Sequence, residues 1–127
     1  MSYYYTKEIL MGFQESITRL KESLKKEGFG VLTEINIKTL MKEKLNENYE
    51  NYVILGVCNP SFAHKALQSE YEIGLMLPCK IIAYTKNTQT FISTIIPSVS
   101  TGIIHNSKLR SITQEIDVKL RNVIDSL

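Results

Sequence analysis

The chain has 127 residues, with 43% hydrophobic and 22% charged side chains, six glycines and three prolines. This composition excludes disordered, collagen-like and low-complexity proteins and predicts one globular domain over residues 1–127. The net charge is only +2 and no apolar run reaches the roughly 18 to 20 residues of a membrane span, so neither nucleic acid nor a membrane is an expected partner and a cytoplasmic location is predicted.

The first predicted elements are a strand and an amphipathic helix. Three consecutive tyrosines favour a strand over residues 2–6, because their rings suit a pleated, half-buried surface. Apolar residues then recur at a spacing of three or four, at Phe13, Ile17, Leu20 and Leu24. This spacing predicts a helix, and Gly28 provides the left-handed position at which helices commonly end.

A second strand, a second helix and a third strand follow. Residues 29–35 have the mixed alternation of a strand, and Asn36 is placed to cap a short helix with apolar residues at Ile37, Leu40, Met41 and Leu45. After a polar linker, residues 52–57 form an apolar run of strand length. Such a run is typical of a strand covered on both faces or lying in the middle of a sheet, so this segment is predicted to be the central strand.

The C-terminal half predicts a helix, a hairpin and a long helix. Asn59 and Pro60 stand where a third helix would begin. Runs at 80–84 and 90–96 predict the two strands of an antiparallel hairpin, and residues 98–102 are predicted to be a connecting loop rather than a lid. The final helix has apolar residues spaced three or four apart, at Leu109, Ile112, Ile116, Leu120, Val123 and Leu127.

This order of elements allows two architectures. Alternating strands and helices suggest a parallel α/β sheet, whereas the adjacent hairpin and the short helices suggest an antiparallel α+β sandwich with helices on one face. Periodicity alone leaves both open.

Three segments together carry a resemblance to a known family. These are Glu-Gly-Phe-Gly-Val at 27–31, Val-Cys-Asn-Pro at 57–60 and Leu-Pro-Cys at 77–79. In this order and spacing they resemble the domain-of-unknown-function family numbered 302, over nearly the whole chain. The resemblance implies a two-layer α+β sandwich related to the TATA-binding-protein-like fold, with a mostly antiparallel sheet and helices packed on one face. It also implies a homodimer, and it implies no established reaction.

One position departs from the family pattern. The family usually follows Leu-Pro-Cys with Asn, and this chain has Lys80 there. If that Asn contacts a ligand, the change to a cation puts an inherited ligand in doubt.

The candidate site consists of two turns that each join a cysteine to a proline: Cys58, Asn59, Pro60, Pro78, Cys79 and Lys80. A thiol at Cys58 would lie near the amino end of the third helix, where the helix dipole favours a thiolate. The alternative is that both cysteines are small buried apolar residues, as free cysteines usually are. The functional hypothesis requires the two turns, distant in sequence, to converge on one hollow.

Other chemistries find little support in the sequence. His64 and His105 do not form a compact ligand set with the cysteines, so no metal is expected. Gly28 and Gly30 follow a helix rather than a strand, which is not the geometry of a phosphate-binding loop. No cofactor is expected, and a cytoplasmic chain keeps its thiols reduced.

Two functions from different classes are therefore predicted. The favoured one is a binding or interaction module that holds a small-molecule ligand or partner near Cys58, Asn59 and Pro78. The alternative is a thiol-dependent enzyme or redox sensor in which Cys58 acts with Cys79. The module is favoured because no residue of the sequence is identifiable as an oriented base beside a nucleophile.

Overall fold

The structure is a computed structural model that describes residues 2–127. Its elements follow in chain order: β1 (Tyr4–Ile9), α1 (Phe13–Lys26), β2 (Gly30–Asn36), α2 (Ile37–Leu45), β3 (Tyr52–Cys58), α3 (Pro60–Ser69), a 3-10 helix (Tyr71–Met76), β4 (Cys79–Lys86), β5 (Gln89–Ile95), α4 (Pro97–Ser100) and α5 (Ser107–Asp125).

The five strands form one sheet in the order β1-β5-β4-β3-β2, and every neighbouring pair is antiparallel. This confirms the α+β alternative and excludes the parallel α/β sheet. The central strand is β4. The prediction that residues 52–57 form the central strand was wrong, because β3 lies one place further out, between β4 and β2. The apolar run of β3 is explained by its place inside the sheet, with a neighbouring strand on each side, and this does not require it to be the middle strand of the five.

One face of the sheet and helices α1 and α5 enclose the main core. Successive strand residues point to opposite faces, and the alternating residues of β3 and β4 that face the helices are completely or almost completely buried. The main core consists of Ile9, Ile17, Leu20, Leu24, Phe29, Val53, Leu55, Val57, Ile81, Ala83, Ile92, Ile116, Leu120, Val123 and Ile124. The predicted apolar spacing of the first and last helices is thus the spacing that this core uses.

The opposite face carries a row of aromatic rings. Tyr52, Tyr84 and Phe91 are cross-strand neighbours, and their ring centroids lie 5.7 Å and 5.4 Å apart in stacked geometry. Tyr4 lies on this face and is half exposed, whereas Tyr5 packs against the main core and its hydroxyl donates to Asp125 Oδ1 at 2.6 Å.

Local signals in the sequence were confirmed at two helix ends. Gly28 follows α1 with a φ of +85°, the left-handed conformation that glycine adopts without strain. At the start of α2, the Asn36 side chain accepts a hydrogen bond from the backbone amide of Thr39 at 3.0 Å.

Three segments differ from the prediction. The first strand begins at Tyr4 and continues to Ile9 because β5 supplies hydrogen-bonding partners over that length. The hairpin turn consists of two residues, Asn87 and Thr88, which both have positive φ, as in the turns that suit the twist of antiparallel strands. Residues 98–100, part of the predicted loop 98–102, belong instead to the short helix α4.

The short helix α4 is held by a distant carboxylate. Pro97 stands at its first position, and the backbone amide of Ser98 donates to Asp117 Oδ1 on α5 at 3.0 Å, while the Ser98 hydroxyl donates to Asp117 Oδ2. A carboxylate satisfies a free amide at a helix N-terminus and also interacts favourably with the helix dipole. Composition alone favours a loop here because the carboxylate lies 19 positions downstream.

Candidate functional site: a cavity at the end of the sheet

Three neighbouring strands have their ends on the same side of the molecule. β3 ends at Cys58, β4 begins at Cys79 and β5 ends at Ile95. Beyond these ends, α3, the 3-10 helix, α4 and α5 surround a cavity of about 550 Å³ that is open to solvent. We call it the end cavity.

The walls of the end cavity are mainly apolar. Ala66, Ile73 and Leu109 form a small buried cluster, and the half-buried side chains packed on it are Leu67, Leu77, Ile104 and Ile112. Most of these residues line the cavity, together with Phe62 and Ala63 of α3 and Ile116 of α5. The two alanines leave space that larger side chains would fill, which is why the cavity exists between α3 and the sheet.

The hydroxyl groups in the wall are already engaged with the backbone. Ser100 Oγ and Thr101 Oγ1 donate to the carbonyl of Pro97 at 3.0 Å and 2.8 Å, and Thr113 Oγ1 donates to the carbonyl of Arg110 at 3.1 Å. These side chains therefore offer a ligand acceptor lone pairs but no free hydroxyl proton.

Five of the six predicted site residues line this one cavity. They are Cys58, Asn59, Pro78, Cys79 and Lys80. The two distant turns thus converge on one hollow. The sixth, Pro60, is exposed at the first position of α3 and does not line the cavity, and His64 and His105 are also exposed and outside it.

Both cysteines are free and partly buried. In the sheet Cys79 pairs with Val57, so it is beside the strand position that precedes Cys58. The pKa of the Cys79 thiol is raised from 9.0 to about 11, mainly by burial and also by the neighbouring Cys58 and Asp117, while Lys80 partly offsets the increase. Cys79 is therefore a neutral thiol at physiological pH, which does not suit a nucleophilic thiolate.

Asn59 occupies the cap position of α3 but does not bond to that helix. Its Nδ2 donates instead to the backbone carbonyl of Glu27 at the end of α1, at 3.3 Å. Gly28 makes this contact feasible, because a Cβ there would lie 3.0 Å from Asn59 Nδ2. The prediction that Asn59 precedes the third helix was right, and its side chain joins the cavity wall to the end of α1.

Pro78 follows a cis peptide bond and lies across β3 at Gly56. A Cβ at Gly56 would overlap the Thr33 hydroxyl and would come within 2.7 Å of Pro78 Cγ. The absence of a side chain at Gly56 therefore allows Pro78 to pack at the cavity wall.

Comparison with known proteins identifies the family. The model of the Domain of unknown function DUF302 matches residues 5–127. The chain belongs to the DUF302 family. The crystal structure of the uncharacterized conserved protein DUF302 from Bacillus stearothermophilus is similar over 98% of both chains, with 35% sequence identity and a TM-score of 0.94. No functionally curated protein matches the sequence.

Lys80 stands where the family resemblance implies Asn. Its side chain is exposed, and Nζ donates to the backbone carbonyl of Pro78 at 3.2 Å. Within residues 2–127, ion pairs form at Lys21–Glu34 and Lys119–Glu27, and Lys80 has no carboxylate partner. The ammonium group therefore stands at the cavity wall without a counter-charge.

The cavity walls include residues that sequence analysis missed. Phe62, Ile73, Leu109, Thr113 and Ile116 come from three different elements, and their own segments show only ordinary helical spacing or, at Ile73, no pattern. The one available signal was the pair Ala63 and Ala66 on α3. These small side chains lie three positions apart, so they share a helix face that leaves the space beside it unfilled.

Residues 2–127 contain no group of three or more metal-ligating side chains, and none of their helices has the length and hydropathy needed to cross a bilayer.

Proposed function

We propose that this DUF302 protein is a cytoplasmic binding module that holds a small apolar ligand in the end cavity. The observation that carries the proposal is the cavity itself, because about 550 Å³ lies within the range of roughly 300 to 1,000 Å³ that is typical of small-molecule sites. Such sites are lined by apolar side chains with a few polar groups, as the end cavity is.

The exposed rim supports the same function. Leu32, Leu75 and Met76 line the cavity, and their exposed fractions are 64%, 86% and 37%. A ligand that covers large apolar side chains around a hollow removes their surface from water, and this lowers the free energy of the bound state. Ligand binding would thus bury surface that folding alone leaves exposed.

Catalysis receives less support from the same residues. A general base must lie within hydrogen-bonding distance of its target, and neither histidine lines the cavity. The neutral Cys79 thiol lacks the activation that a nucleophile needs. Homodimer formation, which the family resemblance implied, stays a prediction.

Binding of a neutral apolar fluorophore tests the proposed function. We expect N-phenyl-1-naphthylamine to bind the wild-type chain with increased fluorescence, and Ala63→Leu to weaken binding at least about tenfold because the added carbons occupy the hollow. Leu67→Phe narrows the same cavity and serves if Ala63→Leu does not fold. Val118→Leu, on the exposed surface of α5, is the control and should bind like the wild type. Absence of binding, or equal binding by the narrowed variants, would overturn the proposal.

The thiol alternative rests on the two cysteines lining one cavity, and alkylation kinetics separate it from the binding module. For the module, Cys58 should react with iodoacetamide near pH 7 no faster than an exposed peptide thiol, and Cys79 should react more slowly because its pKa is raised. A markedly accelerated, pH-dependent rate at Cys58 would favour the redox function instead. The variants Cys58→Ser and Cys79→Ser assign each rate to one thiol.

A further inference from the structure

The charges of the end cavity are unevenly distributed. Among the described residues that line it, Lys80 is the one with a permanent charge, and none of the lining residues is an aspartate or a glutamate. The thiol of Cys79 adds no negative charge at physiological pH. The wall therefore combines apolar surface with a single cation.

The Lys80 ammonium has unused hydrogen-bonding capacity. A lysine ammonium carries three donors, and Nζ uses one of them on the carbonyl of Pro78. That contact holds the ammonium beside the cavity wall, while the side chain remains exposed and lacks a carboxylate partner. A bound anion could accept the remaining donors without first breaking an ion pair.

The interior has the opposite character. The other wall residues are mainly leucine, isoleucine, alanine and phenylalanine, and the hydroxyls of Thr101 and Thr113 are bonded to backbone carbonyls. At roughly 30 Å³ for each heavy atom, a volume of about 550 Å³ accommodates on the order of 18 heavy atoms. A polar group placed among these apolar side chains would lose hydration that few wall donors replace, whereas a hydrocarbon would not.

We propose that the ligand class is an amphipathic carboxylate whose apolar body fills the end cavity and whose carboxylate contacts Lys80 at the mouth. This inference rests on the proposed function and specifies its ligand chemistry. The geometry is a hydrocarbon-lined hollow with one unpaired ammonium at its wall. The contact is charge-assisted, and its partial exposure to water keeps its contribution modest.

Competition between two ligands of matched length tests the inference. Decanoate and 1-decanol would each be titrated against bound N-phenyl-1-naphthylamine at neutral pH, where decanoate is ionised. We expect Lys80→Met to weaken decanoate binding about threefold to tenfold and to leave 1-decanol binding unchanged. Lys80→Arg should retain most of the decanoate affinity, since it keeps the charge.

Lys86→Met is the matched control, because Lys86 is an exposed lysine at the opposite end of β4 and does not line the end cavity. It should change neither affinity. The carboxylate inference would be overturned if Lys80→Met and Lys86→Met lost decanoate affinity equally, or if neither lost any. Binding of 1-decanol would in that case still support the proposed function. Failure of both ligands and of the fluorophore to bind wild-type protein would overturn the proposed function itself. Calorimetric titration of decanoate without the fluorophore checks that displacement reports direct binding.

Discussion

The main core and the small cluster around the end cavity are built from the same kinds of side chain and differ in how completely they fill space. In the main core, Leu20, Leu24, Leu55 and Leu120 have no exposed surface. In the small cluster beside the cavity, Ala66, Ile73 and Leu109 are buried, whereas Leu67, Leu77, Ile104 and Ile112 remain partly exposed. Complete filling therefore depends on more than apolar composition.

The supporting elements explain the difference. The main core lies between the sheet and two helices of 14 and 19 residues, which present several turns of apolar side chains. The cavity lies beside α3 of ten residues and a 3-10 helix of six, and the inward face of α3 carries alanines. These short elements with small side chains do not fill the space between them, and the end cavity results. We therefore expect the main core to provide most of the stability and the end cavity to bind the ligand.

The largest expected effect is on the main core. Leu120→Ala should lower the free energy of unfolding by about 3 to 5 kcal/mol, because the deletion leaves a void that tightly packed neighbours cannot fill. Urea denaturation followed by circular dichroism measures it. A loss below about 1 kcal/mol would mean that the two regions do not differ in packing as described.

An intermediate effect is expected from the titration of Cys79. Its folded pKa, about 11, lies above the value of 9.0 that an exposed thiol has, so the unfolded chain releases this proton first. Stability should be complete below about pH 9 and should fall by about 2 kcal/mol as the pH rises towards 11. The neighbouring Cys58, Lys80 and Asp117 contribute to this difference.

The difference between wild type and Cys79→Ala isolates this titration from that of other groups, such as Tyr52, whose pKa is raised by burial. Thermal denaturation from pH 8 to pH 11 would show a smaller loss in the variant. Parallel curves for the two proteins would show that Cys79 ionises equally well in the folded chain, and the wall of the cavity would then be more polar than its residues indicate.

The smallest effect is expected at the cavity cluster. Leu67 is half buried and lines the hollow, so Leu67→Ala enlarges existing open space instead of creating a closed void. We expect a loss of about 1 kcal/mol, near the lower end for a large apolar side chain. Chemical denaturation of Leu67→Ala and Leu120→Ala under the same conditions compares their free energies of unfolding. Equal losses in the two variants would contradict the expected difference between the cavity cluster and the main core.

The same two regions differ in how far they could be predicted. The spacing of Phe13, Ile17 and Leu20 predicts a buried helix face, and Gly28 predicts its end, because these signals are local and the main core uses them directly. The convergence of Cys58 and Cys79 depended on a hypothesis about two distant turns. The structure brings these turns to one cavity because antiparallel strands return to the same end of the sheet.

The remaining cavity residues could not be predicted, because tertiary contacts place them. The helix α4 forms where Asp117 accepts hydrogen bonds from Ser98, and the 3-10 helix adds Ile73 to the wall without any periodic pattern of its own. Thr113 lies on a helix whose spacing predicts burial but does not indicate which turn faces a hollow. Such information resides in pairs of segments and not in either segment alone.

The width of the end cavity depends on Gly56, although this residue lies outside the cavity wall. It does not line the hollow, yet Pro78, which does, rests against it where any side chain would intrude. A methyl group there would push the proline away from β3 and shift the wall that a ligand meets. Selectivity for ligand size could therefore change through a residue that no ligand touches, by a substitution in the middle of a strand.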